Sequence, residues 1–118
     1  MTRRGDVVIV AFPFVTGGGG KNRPALVIQC DRNNQRLQNT IVAMITGNTS
    51  LATVEPTQIL VDPATPDGSA SGLAYPSAVK CENLYTVTQQ DILRTLGSLP
   101  PSVMAKIDDC LKAALQLP

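Results

Sequence analysis

The sequence predicts a mainly β fold with helices at its C-terminal end, and three observations carry that expectation. Short runs rich in β-branched residues recur through the first three quarters of the 118-residue chain. Nine Gly and nine Pro fall between and beside those runs, too few for a low-complexity chain and well placed for turns. Apolar residues take up a helical period only near the end. Five or so short strands joined by turns make a small, strongly bent antiparallel sheet of the SH3-like barrel type.

The elements follow in order. Val7 to Phe12 is dense in Val and Ile and is ended by Pro13, giving the first strand. Gly17 to Gly20 followed by Lys21-Asn22-Arg23 reads as a long hairpin loop with a basic end. Pro24 to Gln29 and Thr40 to Thr46 are the second and third strands, with Asp31 to Gln35 a polar connector between them. Val54 to Val61 is a weaker strand with Pro56 near its start, and Asp62 to Ser69 is a turn-rich loop. Ser77 to Val87 supplies the last strand or a pair of short ones. Thr88 is then the N-cap of a short helix with Asp91 in the capping-box position; Ile92, Leu93 and Leu96 are its apolar residues and Gly97 its stop. A final helix opens at Pro101 or Ser102, with Val103, Ile107, Cys110 or Leu111, Ala114 and Leu115 on one stripe.

Length places residues 1–118 in one domain, and Leu, Ile, Val and Phe, about a quarter of the chain, suffice for a core. A formal charge of +1 excludes a polycation that binds by bulk charge, so a nucleic-acid site has to be local. The first third is the more basic part, with Arg3, Arg4, Lys21, Arg23, Arg32 and Arg36 opposed by Asp6 and Asp31. Histidine is absent, which removes the commonest general acid–base, the Ser-His-Asp and Cys-His devices, and the commonest metal ligand. Cys30, Cys81 and Cys110 have no C-x-x-C spacing and read as reduced thiols of a cytoplasmic protein. The first apolar run is short and interrupted by proline, which fits neither a secretory leader nor a membrane span.

The glycine run before Lys21 is not a nucleotide-binding loop. That motif needs Gly six places before the lysine and Ser or Thr after it, and Val15 and Asn22 stand there. Arg23 is the sharper signal. Proline at position 24 holds the preceding residue extended, at the mouth of a strand, which fixes where the guanidinium starts. Its planar charged fork suits a phosphodiester and the charge that grows on phosphoryl oxygens, although an exposed loop arginine explains the residue as well. Thr46, followed by Gly47-Asn48-Thr49-Ser50, ends the third strand in a patch of hydroxyls and amides that can donate to phosphate or cap a turn. Cys81-Glu82-Asn83 offers a carboxylate and an amide for a base edge, or simply a solvated strand face. Asp108-Asp109 is a solvated helix face and not a metal pair, because neighbouring helix positions do not face each other.

Cleavage of a phosphodiester without histidine or a carboxylate cluster points to a nucleophile carried by the substrate. The 2′-hydroxyl of RNA can attack its own phosphate, and that chemistry needs no cofactor and no metal. The protein then aligns the attack and neutralises charge. An arginine is a poor general base, so charge stabilisation is the main role that suits Arg23, with a part in proton transfer left open.

Taken in order, Arg4-Gly5-Asp6-Val7-Val8, the glycine-rich loop, Arg23-Pro24-Ala25-Leu26-Val27-Ile28 and Ile41 to Thr46 resemble the MazF/PemK toxins. Ser71-Gly72-Leu73, Ser77-Ala78-Val79 and Glu82 to Val87 extend the resemblance over nearly the whole chain. It implies a homodimeric endoribonuclease of the mRNA-interferase type, with an SH3-like barrel, from a type II toxin–antitoxin module. Such an enzyme cuts single-stranded RNA at short sequences without metal, leaving a 2′,3′-cyclic phosphate and a 5′-hydroxyl. The family's catalytic pair falls on Arg23 and Thr46, its RNA contacts on Lys21, Asn22 and Asn83. A cognate antitoxin with a disordered tail is implied as partner, the tail ordering as it binds. Four consecutive glycines in the loop, and Gly47-Asn48 after the threonine, depart from the family's usual sequence at positions that bear on cleavage specificity. The alternatives on the same barrel are a non-catalytic CcdB-like gyrase poison and an inactive relic that still binds its antitoxin.

Overall fold

A computed structural model describes residues 2–12 and 21–118. The expected glycine-rich loop lies outside the described residues.

Six strands form one sheet: β1 (Asp6–Phe12), β2 (Lys21–Val27), β3 (Asn39–Thr46), β4 (Gln58–Val61), β5 (Ser77–Thr88) and β6 (Ile92–Ser98). A short helix, α1 (Asp31–Arg36), lies between β2 and β3, and α2 (Pro101–Leu115) closes the chain. The spatial order is β4-β5-β3-β2-β1-β6, and every neighbouring pair is antiparallel. β1 and β2 carry buried residues on both faces, which is why they read as continuous apolar runs rather than alternating ones.

The sheet bends where its ladders slip. Opposite the junction of Ala43 and Met44 the register jumps from Leu84 to Lys80, leaving Cys81, Glu82 and Asn83 of β5 as extra residues. Two further shifts occur between β1 and β6. Inserted residues kink a strand and increase its twist. The resulting curl brings opposite ends of the sheet together without pairing them: Val61 of β4 and Leu96 of β6 belong to one apolar cluster. That cluster also takes in Val7, Leu26, Ala43, Ile45, Val79 and the α2 residues Val103, Met104, Ile107 and Cys110. A second cluster, Val8, Val10, Phe12, Ala25, Val27, Val42 and Val87, fills the other face, where the rings of Phe12 and Tyr85 meet edge to face at 5.5 Å.

The final helix is as expected. Pro101 starts it, where a missing N–H costs nothing, and Gln116 ends it in the left-handed region with its N–H bonded to the Lys112 carbonyl. Asp108 is not merely solvated: it accepts from an Arg4 Nη at 2.6 Å, while Arg4 Nε donates to the Ile28 carbonyl. At this exposure the ion pair contributes about 1 kcal/mol or less.

Several expectations differ from the structure. The connector at 31–35 is helical over Asp31–Arg36, held from outside by a buried amide network. Asn34 Oδ1 accepts from Thr40 Oγ1 at 2.6 Å and from Gln29 Nε2 at 3.0 Å, and Asn34 Nδ2 donates to the Gln29 carbonyl. From just past the end of the neighbouring strand β5, Gln89 Nε2 donates to the carbonyls of Asn34 and Leu37. The second difference is larger. Residues 88–97 are not a helix: Thr88 ends β5, Gln89–Asp91 form a 3-10 turn, and Ile92–Ser98 are the strand β6 paired with β1. An unpaired β1 edge outweighs the local capping signal. Gly97 is therefore no helix stop. A Cβ there would stand 2.1 Å from the Ala70 carbonyl oxygen, and one at Gly72 2.1 Å from that of Leu96. These two glycines let the 3-10 turn Ser69–Ser71 lie flat against β6. The weak strand expected from Val54 is confined to Gln58–Val61, with Val54 exposed in a turn before it.

Candidate active site

The β2–β3 ladder runs from Val27 opposite Val42 to Ala25 opposite Met44 and ends one residue before Pro24 reaches Ile45. Proline has no N–H to extend it. Side chains two positions apart share a face. Arg23 therefore leaves the sheet on the side of Ala25, and Thr46 on the side of Met44, which are the same side. Strand period and one ladder thus put the two residues at the same end of the same face.

Both line a cleft of about 290 Å³. Its walls come from several places in the chain: Ile9 on β1; Arg23 and Pro24 on β2; Ile45 to Gly47 at the end of β3; Gly72 to Tyr75 in the loop before β5, with Ser77 that opens β5; and Arg94 and Leu96 on β6. No carboxylate lies among these lining residues, so the field in the cleft is positive. Arg23 is half-buried and makes no hydrogen bond or ion pair among the described residues. Its fork is free to meet a ligand.

Thr46 takes up the turn-capping reading that the sequence allows. Its Oγ1 accepts the Asn48 N–H at 3.1 Å, which closes a small turn and fixes the side chain. The hydroxyl hydrogen remains available to donate. Asn48 in turn accepts from the Ser50 N–H at 3.1 Å and from the Ser50 hydroxyl at 2.8 Å. A smaller polar recess of about 70 Å³, lined by Asn48, Ser50, Leu51, Gln58 and Lys80, opens on the other side of Thr46.

Lys21 and Asn22 are exposed at the start of β2, opposite Phe12 and Ala11 and next along the strand from Arg23. Asn83 stands apart. It is half-buried in the irregular stretch of β5 and lines neither the cleft nor the recess. The neighbouring Glu82 carboxylate is occupied, accepting from Thr57 Oγ1 at 3.2 Å and Gln58 Nε2 at 2.7 Å, and so ties β4 to β5. Sequence reasoning missed Tyr75 and Arg94. Strand alternation across from Ile9 would have exposed Arg94, had 88–97 been read as a strand. Nothing in the sequence places Tyr75 near Thr46.

Residues 3–115 match the family of PemK-like, MazF-like toxins of type II toxin–antitoxin systems. The chain belongs to that family. Among curated relatives, endoribonuclease MazF6 of Mycobacterium tuberculosis is 37% identical over 98 residues, covering 82% of this chain and 81% of its own. Endoribonuclease MazF9 of the same organism is 28% identical over 121 residues, 99% of this chain and 98% of its own. Among solved structures, the Mycobacterium tuberculosis toxin MazF-mt6 superposes with a TM-score of 0.77 at 26% identity, over 96% of this chain and 98% of that one. A mycobacterial endoribonuclease in complex with its cognate antitoxin gives 0.77 at 23% identity, over 100% and 98%, which speaks for the fold. The bent antiparallel sheet with its terminal helix is thus the MazF-type fold.

Proposed function

We propose that this MazF-family chain is an endoribonuclease toxin that cuts single-stranded RNA at the cleft between β2, β3 and β6. The observation that carries the reading is the pairing of an unpartnered Arg23 with the hydroxyl donor Thr46, on one sheet face, in a cleft without carboxylates. The curated relatives named above are endoribonucleases of nearly the same length, and their names support the assignment.

In the mechanism, the substrate's 2′-oxygen attacks the adjacent phosphorus and the bond to the 5′-oxygen breaks. The 2′-hydroxyl loses its proton and the departing oxygen gains one, leaving a 2′,3′-cyclic phosphate and a 5′-hydroxyl. Negative charge builds on the non-bridging oxygens of the five-coordinate phosphorus. Arg23 meets it with two N–H groups, and Thr46 donates to one of the same oxygens. Both groups are positioned before substrate arrives, one by Pro24 and the other by the Asn48 N–H. Lys21 and Asn22 hold neighbouring phosphates, and Asn83 reads a base further along the strand. The reaction draws on no metal or cofactor.

Two partners complete the reading. The toxin acts as a homodimer within the cytoplasm, and a cognate antitoxin inhibits it by ordering a disordered tail over this surface; a solved relative with its own antitoxin supports the second point. Residues 1–118 act as one toxin domain.

The test is incubation of the purified protein with a long single-stranded RNA in EDTA, followed by sequencing of the fragments and analysis of their ends. Cleavage at a recurrent short site with cyclic-phosphate ends is expected, lost in Arg23→Ala. Undiminished cleavage by Arg23→Ala would overturn the assignment.

A further inference from the structure

Two side chains in the cleft have no part in the chemistry just described. Tyr75 lies in the loop before β5, its ring edge against Gly47: a Cβ on residue 47 would stand 3.0 Å from Cε2 of the ring. Glycine directly after Thr46 is what makes room for an aromatic wall beside the hydroxyl. Tyr75 is nevertheless 60% exposed, a large amphipathic side chain left mostly uncovered. The residue is one of those that line the cleft. Arg94 stands on β6 opposite Ile9, exposed and without a hydrogen bond or ion pair among the described residues.

We propose that Tyr75 and Arg94 form a nucleotide subsite flanking the reacting phosphate, Tyr75 stacking on the base and Arg94 pairing with the phosphate next along the strand. The proposal rests on the RNA-cleavage reading above and deepens it. A flat π-face and a charged fork in one cleft match the two parts of a single nucleotide. An exposed aromatic beside unpaired cations is the arrangement by which single strands are held without reading sequence. Each base has a π-face, so the subsite fixes position and affinity rather than identity. It also gives the exposed ring and the unpaired guanidinium a common role that neither Thr46 nor Arg23 supplies.

The experiment uses the cleavage site found with the wild-type protein. That site is synthesised with a 2′-O-methyl group on the reacting ribose, which blocks attack, and with 2-aminopurine on one or the other side of the scissile phosphate. Stacking quenches 2-aminopurine. Quenching is expected at one of the two positions with wild type and with Tyr75→Phe, and is expected to vanish with Tyr75→Ala and Tyr75→Leu. In cleavage assays KM is expected to rise about tenfold in Tyr75→Ala, with kcat changed less. Arg94→Gln is expected to make the salt dependence of binding shallower by about 0.7 in log–log slope, as one lost phosphate contact requires. Wild-type KM and quenching in a folded Tyr75→Ala, with cleavage intact, would overturn the subsite and leave the catalytic reading standing. Absence of any cleavage by wild type would bring down both.

Discussion

At the scale of single residues, the proposed chemistry depends on geometry rather than on titration. Arg23 meets charge with a planar fork, so Arg23→Lys keeps the charge but loses two-pronged contact and should fall between wild type and Arg23→Ala in kcat. A loss of about 10²-fold or more is expected for the alanine variant. Thr46→Ser keeps the donor, whereas Thr46→Val removes it and should lower kcat by about 10- to 100-fold with little change in stability; single-turnover cleavage measures this. Away from the cleft, the thiol of Cys81 is pushed up to about 12, first by burial and then by the neighbouring Cys110 and Glu82. An unfolded cysteine ionises near pH 9, so above that pH the unfolded chain sheds a proton that the folded chain keeps. Stability therefore falls as pH rises, by about 1.4 kcal/mol per unit from this group. Urea unfolding at pH 8 and pH 10 should show the loss in wild type and a smaller one in Cys81→Ala.

At the scale of elements, β6 and α1 show where local signals were overruled. Thr88, Asp91 and Gly97 imitate a capped helix, yet the strand forms because it completes the sheet beside β1 and because two glycines admit the turn Ser69–Ser71 against it. Gly97→Ala would force a methyl group into the Ala70 carbonyl. A loss of about 2–4 kcal/mol is expected, read as a lower urea midpoint at an unchanged slope. Helix α1 is too short to be stable alone, and its order comes from Asn34, a buried amide bonded on both of its polar atoms. Asn34→Ala leaves Thr40 and Gln29 without that partner and should cost about 2–4 kcal/mol, while Thr40→Val in the Asn34→Ala background should recover part of it.

At the scale of the whole molecule, the sheet's curl decides what could be foreseen. Strands β1 and β3, and β2 from Pro24 onward, were legible because apolar residues crowd both faces, and α2 because its stripe is regular; Lys21 to Arg23, expected in the hairpin loop, belong to β2. Arg23 and Thr46 were legible as candidates, because Pro24 and Gly47 mark strand mouths, but their neighbours left a loop arginine and a turn cap open, and only the family resemblance paired them. Arg94 and Tyr75 were not, since they reach the cleft only when a slipped ladder brings β6 and the loop before β5 round to β2 and β3. Curvature of that kind is a property of the assembled ladder and has no signature in any short window of sequence. Net charge adds a global constraint. With a formal +1 overall, and with Arg23 and Arg94 the cations among the described residues that line the cleft and Lys21 close by on β2, RNA binding should release few counterions. A log–log salt slope of about −1.4 to −2.1 is expected for two or three contacts, measured by fluorescence anisotropy with uncleavable RNA. A slope steeper than about −5 would mean that a much larger surface takes part.

The connection from Val61 to Ser77 is long for so small a chain, but it is not one long tether. Gly72 and Gly97 press its middle onto β6, and Ser71 bonds inward to the Gly68 carbonyl at 2.7 Å. Beyond that anchor a single residue, Pro76, separates Tyr75 from the first residue of β5, and there the Ser77 hydroxyl donates back to the Tyr75 carbonyl at 3.0 Å. The ring is thus held on a short span fixed at both ends, and most of its backbone freedom is already spent when the protein folds. A ligand that closes over it has little disorder left to remove, so its association should be fast and its entropy penalty small.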